Sequence, residues 1–158
     1  MKTRTQKTVV AAMFASLCCV ATMVIKIPSP LNGYINLGDA IVLLSGWLLP
    51  AGYGFAAAGL GSALADIFSG YTLYAPATFL IKGIMALIAY TMRSKTSSRI
   101  FGGALAEIAM IVGYYVFEGV MYGFSASLVN IPPNAIQGVA GLVIGFVLVK
   151  IFEKSKMF

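Results

Sequence analysis

Nine of the eleven lysines and arginines in this chain fall into three short groups: Lys2, Arg4 and Lys7; Arg93, Lys95 and Arg99; Lys150, Lys154 and Lys156. The stretches between these groups are strongly apolar. About 20 apolar residues in a helix span roughly 30 Å, the thickness of a bilayer's hydrocarbon core. Basic residues are retained on the cytoplasmic side of a membrane. An even number of crossings between successive groups puts all nine on that side, so the pattern predicts six helices with both termini cytoplasmic.

Composition agrees with this class. The 158 residues are 59% hydrophobic and 10% charged, with a mean hydropathy of +0.91, whereas soluble domains carry about 25% charged residues. Too few polar side chains are present to coat a water-exposed globule. The chain is therefore read as an all-α, multi-pass integral membrane protein, one transmembrane domain over residues 1–158. The net charge of +6 is explained by topology. No nucleic-acid motif or basic face interleaved with aromatics accompanies it. Cys18 and Cys19 are adjacent in an apolar run and read as small packing residues. Without histidine, the usual zinc and iron sites are excluded, and no metal or cofactor is expected. The first apolar run is long for a signal core and lacks a small-x-small cleavage site, so it is read as a retained helix.

The expected helices cover 8–27, 37–49, 53–68, 76–92, 100–122 and 134–152. Lys26 closes the first and is placed to snorkel to the interface. Pro28, Pro30 and Asn32-Gly33 mark a loop, after which Asn36 and Asp39 flank the second helix as caps or ligand contacts. That helix is short for a full span and is expected to tilt or sink between its neighbours. Trp47 near its end suits an interfacial belt. The third segment carries Gly54, Ala58 and Ser62 on one stripe and Ala57, Gly61 and Ala65 on the next. Small residues four apart permit close approach in lipid, and this segment reads as the tightly packed central helix. The loops at 28–36, 69–75 and 123–133 then face outward.

The few remaining polar residues carry the functional reading. Asp66 closes the third segment, an aromatic turn follows, and Lys82 lies inside the fourth, about two turns or roughly 9 Å below its outer end. A charge facing lipid costs about 2.5–3.5 kcal/mol. These two groups should therefore look inward, toward each other as a structural pair, toward water, or toward a ligand. Glu118, Asn134 and Gln137 share their outer-third layer, although Asn134 also reads as a helix cap. Tyr34, Tyr71, Tyr74 and Tyr122 lie above, with Tyr114 and Tyr115 deeper. Convergent polar groups in an apolar, aromatic-rich cavity are what a small-ligand pocket needs. Glu107 lies far below this layer and reads first as a structural carboxyl and second as a partner contact. With no histidine, nucleophile motif or phosphate-cradling glycine loop, the chain is not expected to be an enzyme or to bind ATP.

The ordered runs Gly33-Tyr34-Ile35-Asn36-Leu37-Gly38-Asp39, Gly59-Leu60-Gly61-Ser62-Ala63-Leu64-Ala65-Asp66, Tyr74-Ala75-Pro76-Ala77-Thr78-Phe79-Leu80-Ile81-Lys82-Gly83 and Asn130-Ile131-Pro132-Pro133-Asn134-Ala135-Ile136-Gln137 carry a family likeness. Together they resemble the substrate-binding (S) components of energy-coupling factor (ECF) vitamin transporters, closest to a riboflavin- or hydroxymethylpyrimidine-type branch. The resemblance implies a six-helix subunit in the cell membrane that captures a vitamin or precursor of pyrimidine, pyridine or flavin type at the outer face. It also implies docking on a membrane coupling (T) subunit carrying two ATPase subunits. Carried over from the family, the ligand contacts are Asn36, Asp39, Asp66, Tyr71, Tyr74, Lys82, Glu118, Asn134 and Gln137. The coupling-subunit contact is the small pair Ala11 and Ala15, with Ala12 and Ser16 beside it. The alternative function is a stand-alone ion-coupled carrier or channel using Asp66, Lys82 and Glu118 as its path.

Overall fold

The structure, a computed structural model, describes residues 3–31 and 33–155. Lys2, Asn32 and Lys156 lie outside the described residues. Six long helices build an all-α bundle: α1 (Arg4–Val24), α2 (Gly38–Leu48), α3 (Ala51–Phe68), α4 (Ala75–Thr91), α5 (Thr96–Tyr122) and α7 (Ile131–Lys154). A one-turn helix α6 (Phe124–Ser127) and a 3-10 turn (Leu128–Asn130) lead into α7. The segments Arg4–Val24, Thr96–Tyr122 and Phe124–Lys154 are each long and apolar enough to cross a membrane.

Helix α1 opens with a capping box. The Thr3 hydroxyl accepts from the Gln6 backbone N–H and the Gln6 side chain accepts from Thr3 N–H. The helix stops at Val24, short of the expected Ile27, because the next residues are strand. Lys26–Pro28 (β1) pairs antiparallel with Tyr34–Asn36 (β2), Ile27 opposite Ile35. β-Branched residues and a proline suit a short ribbon and oppose helix. The Lys26 ammonium donates to Ser69 Oγ at 3.0 Å.

The central element is α2, not α3 as the small-residue stripes predicted. Nine consecutive or near-consecutive residues of α2 are buried, from Gly38 to Trp47 with only Ile41 left out. The helix touches α1, α3, α4, α5 and α7. Val42, Leu43 and Leu44 meet Met85, Ala86 and Ala89 of α4 and Met110 of α5 in one core. Trp47 belongs to this core rather than to an interfacial belt. It is 3% exposed, lying close against Gly103 and Gly145, where an added Cβ would come within 3.1 Å and 3.4 Å of its ring. Helix α3 keeps one face bare, with Leu60, Leu64, Ile67 and Phe68 exposed. Its glycines still serve close approach, Gly61 against the Ala15 carbonyl and Gly59 against that of Phe79.

That packing corrects the expected docking pair. Ala11 is 8% exposed, and the half-buried Ala15 packs on the same core with its carbonyl against Gly61 of α3, so the pair is turned into the bundle. Ala12 and Ser16 lie on the exposed side of α1. At the end of the bundle away from the ribbon, Arg99 pairs with Glu153 at 2.8 Å and Arg93 donates to the Leu49 carbonyl at 3.0 Å. Arg4 and Lys7 open α1, and Lys150 and Lys154 close α7, at this same end.

Valine at Gly61 would force α1 off α3, an overpacking cost of about 1–3 kcal/mol. The expected outcome for Gly61→Val in detergent is a thermal midpoint lower by several degrees. Gly52→Ala, where a methyl group meets nothing within 4 Å, should hold or raise the midpoint, since alanine is the better helix former.

Candidate functional site

The loops opposite the basic end enclose a cavity of about 400 Å³ of empty space, its mouth included. One wall comes from the ribbon and its loop, with Ser29, Gly33, Tyr34 and Asn36. Asp66 of α3 and Tyr71 and Tyr74 of the following turn form a second. Thr78 of α4, Tyr114 and Glu118 of α5, and Asn134 and Gln137 of α7 complete it. The α3–α4 turn is shaped by Gly70, whose φ of 84° lies in the left-handed region glycine tolerates. It brings Tyr71 N–H back onto the Asp66 carbonyl at 2.8 Å, closing α3 and folding the aromatic turn over the acid.

The upper wall is a run of rings. Tyr34 and Tyr71 have centroids 4.8 Å apart, Tyr71 and Tyr74 6.5 Å, and Tyr74 and Phe117 5.1 Å. The Tyr34 hydroxyl donates to Asp66 Oδ1 at 2.6 Å. Burial, reinforced by the Asp66 carboxylate, holds the Tyr34 phenol well above its ordinary range, so it stays a donor at physiological pH. Glu118 Oε1 accepts from Asn130 Nδ2 at 2.9 Å and from the Tyr74 hydroxyl at 3.4 Å. Among the described residues, Asp66 Oδ2 and Glu118 Oε2 are buried without a hydrogen-bond partner.

Below the cavity a polar chain crosses the bundle. The Lys82 ammonium forms an ion pair with Asp39 Oδ1. Asp39 Oδ2 accepts from Gln137 Nε2 at 2.7 Å, and Gln137 Oε1 accepts from Asn36 N–H at 2.8 Å and Asn36 Nδ2 at 3.3 Å. Helices α4, α2 and α7 and the strand β2 are thereby locked together. Lys82 also lies over the Tyr114 ring, 5.5 Å from its centroid.

Seven of the nine expected contact residues line the cavity: Asn36, Asp66, Tyr71, Tyr74, Glu118, Asn134 and Gln137. Lys82 and Asp39 do not; they lie behind Gln137, which bonds to Asp39. The Asp66–Lys82 pair is replaced by Asp39–Lys82, because the buried α2 carries Asp39 against α4, while Asp66 is taken by Tyr34. Asp39 is accordingly no cap. Asn134 is not a cap either, since α7 begins at Ile131 with Pro132 and Pro133 in its first turn, where their missing N–H groups cost nothing. Tyr115 packs on Phe124, and Tyr122 lines a shallow recess beside Tyr71 and Tyr74 rather than this cavity. Glu107 is 5% exposed, its carboxyl oxygens without a partner among the described residues, and it is lodged against Gly138 and Gly141, inside the bundle rather than at a partner-facing surface. Sequence reasoning missed Thr78 and the role of Asn130. Thr78 lies one turn before Lys82, as Tyr114 lies one turn before Glu118, and the two hydroxyls meet at 3.0 Å. That shared helical spacing is the signal that points to Thr78.

The profile of the "ECF-type riboflavin transporter, S component" family matches residues 2–154. The chain belongs to this family. It is thus a multi-pass membrane subunit of an ECF-type transporter for uptake of a vitamin or vitamin precursor, a non-enzymatic class of protein. An uncharacterized protein in a gap 3' region of Pyrococcus woesei is 34% identical over 139 residues, 85% of this chain and 93% of that protein. The "Thiamine precursor transporter HmpT" of Lactococcus lactis subsp. cremoris is 26% identical over 97 residues, 61% of this chain and 56% of that one. A solved structure described as the S component of a bacterial ECF transporter shares the fold. Its TM-score is 0.79 at 21% identity, covering 99% of this chain and 100% of that one.

Removing one partner of a buried ion pair strands the other and costs about 3–5 kcal/mol. Asp39→Asn is expected to lower the thermal midpoint of this S component sharply. The double variant Asp39→Asn, Lys82→Met should recover most of that loss in the same melting experiment.

Proposed function

We propose that this S component captures a small vitamin or precursor, of pyrimidine, pyridine or flavin type, in the cavity between its loops. The observation that carries the reading is the convergence of Asp66, Glu118, Asn134 and Gln137 on one aromatic-walled hollow at the end opposite the basic residues. Under the positive-inside rule that hollow opens to the cell exterior and both termini lie in the cytoplasm. Ring faces supply contact area, and a few buried polar atoms fix orientation. Lys82 and Asp39 serve the site from beneath, holding Gln137 and, through it, Asn36 in place.

Import draws on partners: a membrane coupling subunit and two ATPases, consistent with a chain that carries no phosphate-cradling motif. The exposed face of α1 is the docking surface in this reading. Ala12 and Ser16 lie four apart and let a partner helix approach closely. The Ser16 hydroxyl is already satisfied by the Ala12 carbonyl at 3.0 Å, so the pair buries no orphaned polar group. Met13 and Leu17 flank it, 59% and 48% exposed.

Two measurements test this. The purified chain should gain thermal stability with one member of a vitamin panel, and cellular uptake of that compound should need the coupling subunit and ATPases. Uptake into vesicles holding this chain alone would overturn the reading in favour of an independent carrier. Ala12→Trp should abolish uptake and leave ligand binding intact, whereas Ala11→Trp should disrupt folding.

A further inference from the structure

A second hollow opens on the outside of the aromatic turn. Gly70, Tyr71, Leu73 and Tyr74 of the turn and Tyr122 at the end of α5 line it. Its polar side chains are all tyrosines, and no acid or base is among the lining residues. The rings of Tyr71 and Tyr74 stand at 87° to one another with centroids 6.5 Å apart, so they make two walls of a corner. Half-buried Tyr122 closes a third side, its hydroxyl beside that of Tyr74. At Gly70 an added Cβ would meet nothing within 4 Å, which leaves the corner open there.

Aromatic faces are negative and attract cations. This chain fills such faces elsewhere. Lys26 lies 5.9 Å from the Tyr34 centroid, Lys82 5.5 Å from that of Tyr114, and Arg93 4.0 Å from that of Tyr90. Among the described residues, no lysine or arginine stands over Tyr71, Tyr74 or Tyr122. Lys26 reaches Ser69 of the same turn, but it is committed to that hydroxyl and to the Tyr34 ring. The Tyr74 hydroxyl donates to Glu118 Oε1 at 3.4 Å, which polarises the phenol and deepens the negative charge of its ring. The recess therefore has the walls of a cation box and no side-chain cation to fill it.

We propose that this recess binds a quaternary ammonium group, carried by free choline or by the choline headgroup of a lipid. A primary ammonium is strongly hydrated and calls for acceptors on all its protons, whereas this recess offers ring faces and an aliphatic rim. Leu73 on that rim is 57% exposed, and Val120, just before Tyr122 on α5, is 75% exposed. Apolar surface beside tyrosines is the pattern of a lipid–water boundary, in the proposed topology the outer one. The inference holds whichever vitamin the cavity takes, because Tyr122 lies outside that cavity.

The test uses the full chain in maltoside detergent and two probes of one shape, choline and its uncharged isostere 3,3-dimethyl-1-butanol. Ligand-observed NMR titration should show choline binding at least about fivefold tighter, a preference that ring–cation attraction gives and apolar packing does not. Tyr122→Leu should weaken choline at least about threefold, and Tyr122→Phe, which keeps the ring, should not. Leu73→Lys sets a like charge at the exposed rim and should give the same loss even where Tyr122→Leu misfolds. A second arm compares wild type with these variants in nanodiscs of phosphatidylcholine or phosphatidylglycerol with the same acyl chains. Where the headgroup is the source, Tyr122→Leu and Leu73→Lys lower the thermal midpoint more in the choline lipid. A choline preference in detergent with equal midpoint losses in both discs assigns the site to the free solute. Choline binding that both variants leave intact would overturn the proposal. So would equal or absent binding of the two probes together with equal midpoint losses in the two lipids.

Discussion

One buried ion pair governs the interior of this protein. Lys82 and Asp39 are 3% and 0% exposed, and neither charge is tolerable there alone. Their attraction offsets the desolvation of both only because the geometry is close and the spare lone pair of Asp39 is used by Gln137. The pair therefore fixes how α2, α4 and α7 sit relative to one another. Everything above it inherits that arrangement, since Gln137 holds Asn36, and Asn36 anchors the ribbon that walls the cavity. A second carboxyl, Glu107, lies beside Gly138 and Gly141 on the same helix α7, adding to the polar content of a layer surrounded by apolar packing.

The two ends of the bundle are chemically different and the difference is built from few residues. At one end arginines bond to backbone carbonyls and to Glu153, tying α2, α4, α5 and α7 together. At the other, tyrosines and acids surround a hollow, and the connections are turns and a two-stranded ribbon rather than rigid helix. The walls around the hollow combine the ends of α3, α4, α5 and α7 with the ribbon and the aromatic turn.

Much of the fold was legible because the bilayer imposes coarse rules. Apolar runs, prolines at helix starts and three basic groups were enough for six helices. Boundaries failed where local chemistry intervened: Ile25 and Ile27 prefer strand, and paired prolines fit inside the first turn of α7 rather than before it. Inward-facing residues were legible as a layer, but their pairing was not. Asp39 and Asp66 look alike in sequence, and only the burial of α2 decides which one meets Lys82. The orientation of α1 failed for a similar reason. Ala11 and Ala12 are both small, and a 100° turn separates the face that meets α3 from the face left open. The stripes of glycine and alanine marked close approach correctly, yet they said nothing about which helix lies at the centre.

The burial of α2 has a consequence for biogenesis. An 11-residue helix is too short to cross a bilayer by itself, where about 20 apolar residues are needed, and it carries an acid near its start. It has no stable place in lipid until its neighbours surround it. Asp39 leaves the ribosome 43 residues ahead of its lysine, so its counter-charge is absent when α2 first meets the membrane. The second helix is thus an early arrival that must shelter beside α1, and it gains its final seat only when the fourth is threaded in.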